Sequence, residues 1–447
     1  MKKTLSLTTV FALCIITAII TFVTVSVYDR IDYDHKLDEI NIRNASNISA
    51  LEKEYSDAGS LSSVTKALRI LREAKSEVDE HYVFDIDDNA TMSSVKDALY
   101  EIIVGGDVPE DDVQTLLLRA YFSAIGDPFT MYHTPAEMNE LKNESNARLY
   151  GIGIYVYFDP DTEYIYVNRV MPGSPAEKAG LLRGDAITAV EDVPVSEDTY
   201  DKCVRLVAGQ MGEPIKLDVL RGGEHLTLSP VRGEVTTKSV FTEYIGDFAL
   251  ITIVEFTGRA DKDFIKAIDS AEDKGVKGYI FDVRDNPGGD LDIICEVLDK
   301  LLPKGPIVNI MDKNQNELYS YDSDSSSVEK PMVVLINGNT ASAGELFTAA
   351  LKDYQKATII GDVTYGKGTM QQIFPLSDGS GVRISVNYYN PPYSENYHLK
   401  GVTPDITVKE SEYLKNRPFL RGSDNDNVFA AALSELDRLI TAQNKAA

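Results

Sequence analysis

The spacing of apolar residues changes three times along this chain, and each change predicts a different kind of element. From about Leu5 to Tyr28 no charged residue occurs, about the length a helix needs to cross hydrocarbon. Ile31 to about Ser60 is polar and weakly patterned, as expected of a spacer. Between Ser63 and about Leu141, apolar residues recur at intervals of three and four (Ala67, Leu68, Leu71, then Leu116, Leu117, Leu118, Tyr121), which predicts amphipathic helices. That pattern stops at AIGDPFTMYHTPAE, where glycine and proline force turns. From Tyr150 the chain alternates instead, so GIGIYVYF and YIYVNRV read as strands joined by the turn AspProAspThr. Beyond Phe248, strand-like runs (ALITIVEF, GYIFDV, MVVLING, ATIIG) alternate with helical ones (ADKDFIKAIDSAE, LDIICEVLDKLL, ELFTAALKDY), the order of a sheet with packed helices.

Charge sharpens the reading of the first run. Lys2 and Lys3 precede it and Asp29, Asp32 and Asp34 follow, so the positive-inside bias leaves the N-terminus in the cytoplasm and the rest outside. A cleaved export signal usually has a shorter apolar core and a small-x-small site, whereas this run closes on ThrValSerValTyr. An uncleaved anchor is therefore expected. Over all 447 residues the net charge is -26, which argues against nucleic acid or anionic headgroups as partners. Cys14 falls in the apolar run; Cys203 and Cys295 fall in patterns of buried helix faces, so no disulfide framework is implied. With neither HExxH nor CxxC and only scattered histidines, no zinc ligand set is visible.

VMPGSPAEKAGLLRGDAITAVEDVPV, followed by YDKCVRLVAG and IKLDVLRGG, resembles a PDZ domain from about Arg148 to Pro230. Such a module adds a peptide C-terminus as a strand to its sheet edge, while loop N–H groups hold the carboxylate. Tyr150, Gly151, Ile152, Gly153 and Ile154 would form that loop. The glycines allow close backbone approach, and Ile152 and Ile154 would line the pocket for the last side chain.

Candidate chemistry lies on loops that follow strands. ArgAspAsnProGlyGlyAsp (284–290) follows YIFDV, and AsnGlyAsnThrAlaSerAlaGlyGlu (337–345) follows PMVVLI and runs into a helix. Ser342 thus sits on a strand-to-helix turn, where it is either a helix cap or a nucleophile with N–H groups at hand for an oxyanion. Gly288 and Gly289 either form a tight turn or offer N–H groups to that oxyanion. A third loop, GDVTYGKGT (361–369), looks at first like a phosphate loop. Gly368, however, stands where such a loop has Ser or Thr, and strands follow rather than a helix. Lys367 can instead serve as general base for a serine, provided burial keeps a useful fraction of it neutral. Gln371, four residues on, would share a strand face with Lys367 and orient the amine without adding charge. A Ser/His/Asp triad would have to rely on His398.

Taken together, GDPFTMYHTPAE, the PDZ-like core, FDVRDNPGGDLD, INGNTASAGELFTAALKDY, GDVTYGKGTMQQ and LKGVTPDI resemble the C-terminal processing peptidases, or tail-specific proteases. The resemblance covers nearly the whole chain past the apolar run. It implies Ser342 as nucleophile, Lys367 as base, Gln371 as the residue orienting that lysine, and N–H groups of Gly288 and Ala343 as the oxyanion hole. Asp353 matches an acidic position with a structural role. The serine-rich motif departs from the family at Thr340 and Gly344, and PPYSENYHLKG matches loosely.

The implied fold is multidomain, mixed α and β. It comprises a transmembrane anchor (1–30), linker (31–60), small helical domain (61–147) and PDZ domain (148–235). A serine peptidase domain with a mixed sheet and packed helices in ClpP/crotonase-like layers (236–410) and a helical extension (411–447) follow. NVFAAALSELDRLI either packs on the core or serves homodimerisation. The expected activity is that of a membrane-anchored serine endopeptidase on a bacterial cell surface, using no cofactor and cutting proteins whose free C-terminal tails dock on the PDZ groove. The competing reading is a PDZ scaffold on a peptidase-like domain that no longer cuts.

Overall fold

The structure is a computed structural model that describes residues 62–105, 109–146, 150–235, 238–324 and 327–446. The N-terminal apolar run and its spacer lie outside the described residues. No helix among the described residues is long and apolar enough to cross a membrane. The described residues divide into two compact units, one running up to residue 142 and including 371–386, the other taking in 143–370 and those from 387 onward.

In the first unit the helices Ser62–His81, Asp88–Gly105, Glu110–Ile125 and Pro135–Asn146 follow the three-and-four spacing read from the sequence. Their core gathers Leu68, Leu71, Leu117, Leu118 and Tyr121. Gly126 ends the third helix in the left-handed conformation, φ 78°, which a residue with Cβ adopts at a cost. The boundaries expected from the sequence put residues 371–386 in the peptidase domain. In the structure they belong here: Leu376, Val382 and Ile384 of a hairpin complete the same core, and Met131–His133 pairs antiparallel with Gly381–Arg383. Amphipathic helices need apolar cover, and a late hairpin supplies it.

The second unit is built around a six-stranded sheet, in the order Val240–Ile245, Phe248–Ile253, Gly278–Asp282, Met332–Ile336, Ala357–Gly361, Ile406–Thr407. The first pair is antiparallel and all later pairs are parallel. GYIFD and MVVLI are buried at every position, because helices cover both faces of a parallel sheet. Tyr279, Phe281 and Val334 pack on one face with Phe264 and Phe347. Ile280, Val333 and Leu335 point the other way, onto Val428, Phe429 and Leu436 of the helix Asn427–Ala446.

A separate sheet carries the PDZ-like region, with Ile154–Asp159 at its edge, then Tyr164–Val170, Ala186–Val190, Leu217–Arg221 and Glu224–Leu228. This sheet meets the peptidase sheet through Arg169, whose guanidinium donates to Thr252 Oγ1 at 2.8 Å. It also meets the C-terminal segment, where Phe419 stacks on Tyr166 with ring centres 5.4 Å apart.

Candidate active site

Three loops leave the C-terminal ends of three adjacent parallel strands: 283–290 after Gly278–Asp282, 337–342 after Met332–Ile336, and 362–368 after Ala357–Gly361. Parallel strands send successive loops to the same sheet end, so segments about twenty-five to eighty residues apart in sequence become neighbours.

Ser342 caps the helix Ala343–Asp353 in a left-handed conformation, φ 54° and ψ -121°. For a residue with a side chain this costs on the order of 1–3 kcal/mol, and it persists because the surroundings hold it. Gly288 makes the closest approach. A Cβ there would stand 2.5 Å from Ser342 Cβ and 3.0 Å from both Ser342 Oγ and Ala343 N, so no other residue fits without displacing the serine. The N–H of Ala343 lies in the first helical turn, where no intrahelical acceptor exists. The N–H of Gly288 donates to Asn286 Oδ1 at 2.8 Å, and the buried Asn286 amide in turn donates to Ile253 O at 2.8 Å. Of the two expected oxyanion donors, one is therefore engaged within its own loop in this conformation.

The residue that ties the serine turn to the lysine loop is not among those singled out from the sequence. Glu345, fully buried, accepts the Ser342 N–H at 2.9 Å, Thr364 Oγ1–H at 2.6 Å, the Gly366 N–H at 2.6 Å and the Lys367 N–H at 2.7 Å. Burial pushes its carboxyl above the usual range, against the pull of those four donors. The signal was available: serine followed three residues later by glutamate at a helix start is a capping box, in which the glutamate reaches back to the serine N–H. What the pattern does not disclose is that the second half of the carboxylate reaches the lysine loop.

Lys367 does not lie on a strand. The strand Thr369–Pro375 begins two residues later, so the shared-strand-face argument for Lys367 and Gln371 does not apply. The reason is competition for backbone groups: the Lys367 N–H goes to Glu345, and its carbonyl accepts the Tyr389 hydroxyl. Tyr389 was also missed. Burial raises its pKa while a hydrogen bond with Ser342 opposes that rise, so a neutral phenol touches both the Ser342 side chain and the Lys367 backbone. Gln371 belongs to the other compact unit, where its Nε2 donates to Ser385 Oγ at 3.3 Å. His398 Nδ1 accepts the Gly368 N–H at 3.4 Å and so holds the loop.

The two departures from the serine-rich motif fit each other. Thr340, fully buried, donates to Val283 O at 2.8 Å, and a Cβ on Gly344 would lie 3.2 Å from Thr340 Cγ2. The larger residue at 340 thus goes with the smallest at 344. Asp353 accepts the N–H groups of Tyr393 and Ser394, both at 2.9 Å, anchoring the loosely matched PPYSE segment.

Beneath the glycine loop, Arg284 is buried and donates to Asp282, Asp426 and Glu410 at 2.7, 2.8 and 3.0 Å. Arg421 continues the network to Asp285 at 2.6 Å and Glu410 at 2.8 Å. Residues from the C-terminal extension therefore clamp the loop that carries Gly288.

In the PDZ-like sheet, Gly153 has φ 79°, and a Cβ there would stand 2.5 Å from Ser174 Cβ. Gly151 pairs with Gly233 in a two-residue strand. Ile152 packs into the core of this sheet with 1% of its surface exposed, whereas Ile154 keeps part of its surface. Any pocket for a terminal side chain is thus left to Ile154 and its neighbours. The edge strand Ile154–Asp159, entered through this glycine turn, is what strand addition requires.

Against known proteins, residues 247–408 match the model of peptidase family S41, and residues 166–221 match that of the PDZ domain. The carboxy-terminal-processing protease of Bartonella bacilliformis is 34% identical over 292 residues, 64% of this chain and 67% of that protein. The carboxyl-terminal-processing protease of Synechocystis is 30% identical over 304 residues, 66% of this chain and 70% of that protein. Among solved structures, the photosystem II D1 C-terminal processing protease is similar with a TM-score of 0.50 and 26% identity, covering 81% of this chain and 98% of that one.

Proposed function

This chain belongs to the carboxy-terminal-processing proteases, serine-type peptidases of family S41 with a PDZ domain, and on that premise we propose that it cuts protein substrates with a Ser342/Lys367 pair. The observation that carries the reading is the buried Glu345 carboxylate, which binds the backbone of the serine turn and of the lysine loop at once. A nucleophile and base from distant segments need such a brace to stay within reach of each other.

In this reading Ser342 Oγ attacks the scissile carbonyl as Lys367 Nζ takes its proton. The amine leaving group departs with a proton returned by the lysine, and water activated by the same amine releases the acyl group. The Ala343 N–H stabilises the oxyanion, joined by the Gly288 N–H once its loop lets go of Asn286 Oδ1. Gln371 orients the lysine. A substrate C-terminal tail docks along Ile154–Asp159, with its carboxylate at Gly151–Gly153. Residues 5–28 anchor the protein in the cell membrane with the peptidase outside.

The test uses the full chain in detergent with an unfolded protein that ends in an apolar residue. Wild type should cut, and Ser342→Ala and Lys367→Ala should each lower cleavage by on the order of 10³-fold or more. Equal cleavage by all three proteins defeats the assignment. Tail binding by all three without cleavage points to a scaffold.

A further inference from the structure

Leu399 combines two features that a surface loop ordinarily avoids. Its backbone is left-handed, φ 58°, and its side chain is 73% exposed, more than any other large apolar side chain among the described residues. In the left-handed region Cβ crowds the following carbonyl, so such positions favour glycine or asparagine. A buried leucine could offset that strain by packing, but water surrounds most of this one. A strained conformation with no gain to the fold points toward function.

The lysine loop holds that strain in place. Leu399 N–H donates to Gly366 O at 2.8 Å, and the N–H groups of Lys400 and Gly401 turn back to Tyr397 O at 3.0 and 2.9 Å. Neither glycine of the contact leaves room for a side chain. A Cβ on Gly366 would stand 3.1 Å from the nitrogens of both Lys400 and Gly401, and one on Gly401 would stand 2.8 Å from Val363 Cγ1. The two turns therefore interlock backbone to backbone. Val402 N–H completes the contact on Thr364 Oγ1 at 2.6 Å, and the Thr364 proton goes to Glu345 at 2.6 Å.

Two more exposed apolar side chains stand on the same lysine loop, Tyr365 at 55% and Val363 at 39%. Single exposed apolar residues are ordinary on any surface, but these three come together because their turns interlock. Their place relative to the reaction is fixed as well. Tyr365 N–H donates to Thr340 O in the serine turn at 3.0 Å, and Thr364 and Gly366 on either side of it both donate to Glu345. At most about 7 Å of backbone separates Tyr365 from Lys367, the same length that separates the scissile bond of an extended substrate from the second residue beyond it.

We propose that Leu399, Tyr365 and Val363 form an apolar shelf beside Lys367 that takes up apolar side chains of the substrate within about two residues of the scissile bond. The inference rests on the Ser342/Lys367 reading. Groove and shelf then divide the selection: the PDZ groove selects which protein is held, and the shelf selects which bond of an unfolded chain is cut. Exposed leucine, valine and tyrosine suit this use because they bind by apolar area rather than by a fixed hydrogen bond, and so accept several apolar side chains.

The experiment gives the full chain in detergent two unfolded carrier proteins with the same apolar C-terminal tail. Their cleavage segment is rich in leucine and valine in one, and in glycine and serine in the other. The variants are Leu399→Asn, Leu399→Gly and Tyr365→Ser, with Ser342→Ala as control, each read by kcat/KM on both carriers, melting temperature and sedimentation. Wild type should prefer the apolar carrier about 30-fold, and each shelf variant should lower that preference about 5- to 10-fold, the range for losing apolar contact. Asparagine and glycine suit the left-handed backbone at 399, so melting temperature should equal or exceed that of wild type while discrimination falls. A leucine that served only the fold would not give that combination.

Equal cleavage of both carriers by wild type, or an unchanged preference in Leu399→Asn and Tyr365→Ser, overturns the inference. So does a loss that is equal on both carriers and tracks melting temperature. If Tyr365→Ser does not fold, the two Leu399 variants decide. Loss of a wild-type dimer in Leu399→Asn with the preference unchanged overturns it too, and makes the shelf a contact between copies of this chain. No cleavage of either carrier by wild type, or equal cleavage by Ser342→Ala, is a different failure: it removes the nucleophile, and with it the reading on which the shelf rests.

Discussion

Arg284 and Glu345 are both buried charges, one beneath each of the two loops that meet at Ser342, but they are held by opposite means. Three carboxylates surround Arg284, the network extends through Arg421, and the C-terminal segment supplies Glu410, Arg421 and Asp426. Four neutral donors hold Glu345, all from the serine turn and the lysine loop. Their surroundings drive titration apart. Burial raises the pKa of Asp282, yet the charge and hydrogen bonds of Arg284 outweigh it and the net shift is downward. At Glu345 burial wins and the net shift is upward. Charge compensation makes the first network a device of the fold. Neutral donors make the second a device of position, sensitive to the protonation of one group.

The largest effect should come from Arg284→Met, which leaves Asp282 and Asp426 buried without their directly bonded cation and Glu410 with Arg421 alone. Removing one partner of such a network costs about 3–5 kcal/mol. Thermal or urea denaturation should show that loss, and a stability within about 1 kcal/mol of wild type would mean that water reaches the cluster.

Glu345→Gln should act on activity more than on the fold. A glutamine turns an NH2 group toward N–H donors, costing about 1–3 kcal/mol of stability. Displacement of the serine turn from the lysine loop should lower kcat on the order of 10²-fold. A variant that keeps full activity would show that the two loops hold their places without the brace.

Acidification separates the two networks without mutation. Glu345 has a raised pKa, so its contribution to stability is present below the ordinary glutamate range and is lost as pH rises through its folded value. In the mildly acidic window between those values the folded chain takes up a proton there. Stability should hold or rise slightly, while activity falls because a protonated carboxyl cannot accept from four donors. Asp282 and Asp285 have lowered values, Asp285 because Arg421 outweighs its burial; their contribution is present above the ordinary aspartate range and is lost as pH falls through their folded values. Parallel kcat and melting curves should therefore separate, activity declining at a higher pH than stability. Coincident curves would break the comparison.

The smallest effect is expected at the serine-rich motif. Gly344→Ala places a methyl 3.2 Å from Thr340 Cγ2 and should cost about 1 kcal/mol. Combining it with Thr340→Ser removes that methyl but keeps the hydroxyl on Val283 O, and should recover most of the loss.

Local pattern carried far in this chain. Strict three-and-four spacing in residues 63–141 corresponds to helices, and GYIFD and MVVLI to strands buried on both faces, because period and apolar run length are local consequences of backbone geometry. Ser342 and the glycine pair were likewise legible, since a serine before a helix and a glycine needing close approach leave marks on neighbouring residues. Tyr389 was not: it lies in a strand rich in tyrosine, and nothing adjacent in sequence distinguishes it from Tyr388. The strand start at Thr369 was also hidden, because it is decided by which partner takes the Lys367 N–H.

By itself, then, the sequence determined the kinds of element and the family, because each follows from spacing and side-chain type within a short window. Only the tertiary structure decided that residues 371–386 complete the core of the helical unit, that Glu345 braces the lysine loop, and that the C-terminal segment clamps the glycine loop. These are contacts between segments far apart in the chain. The three loops share one end of the sheet because its strands run parallel, a matter of topology that no local pattern encodes.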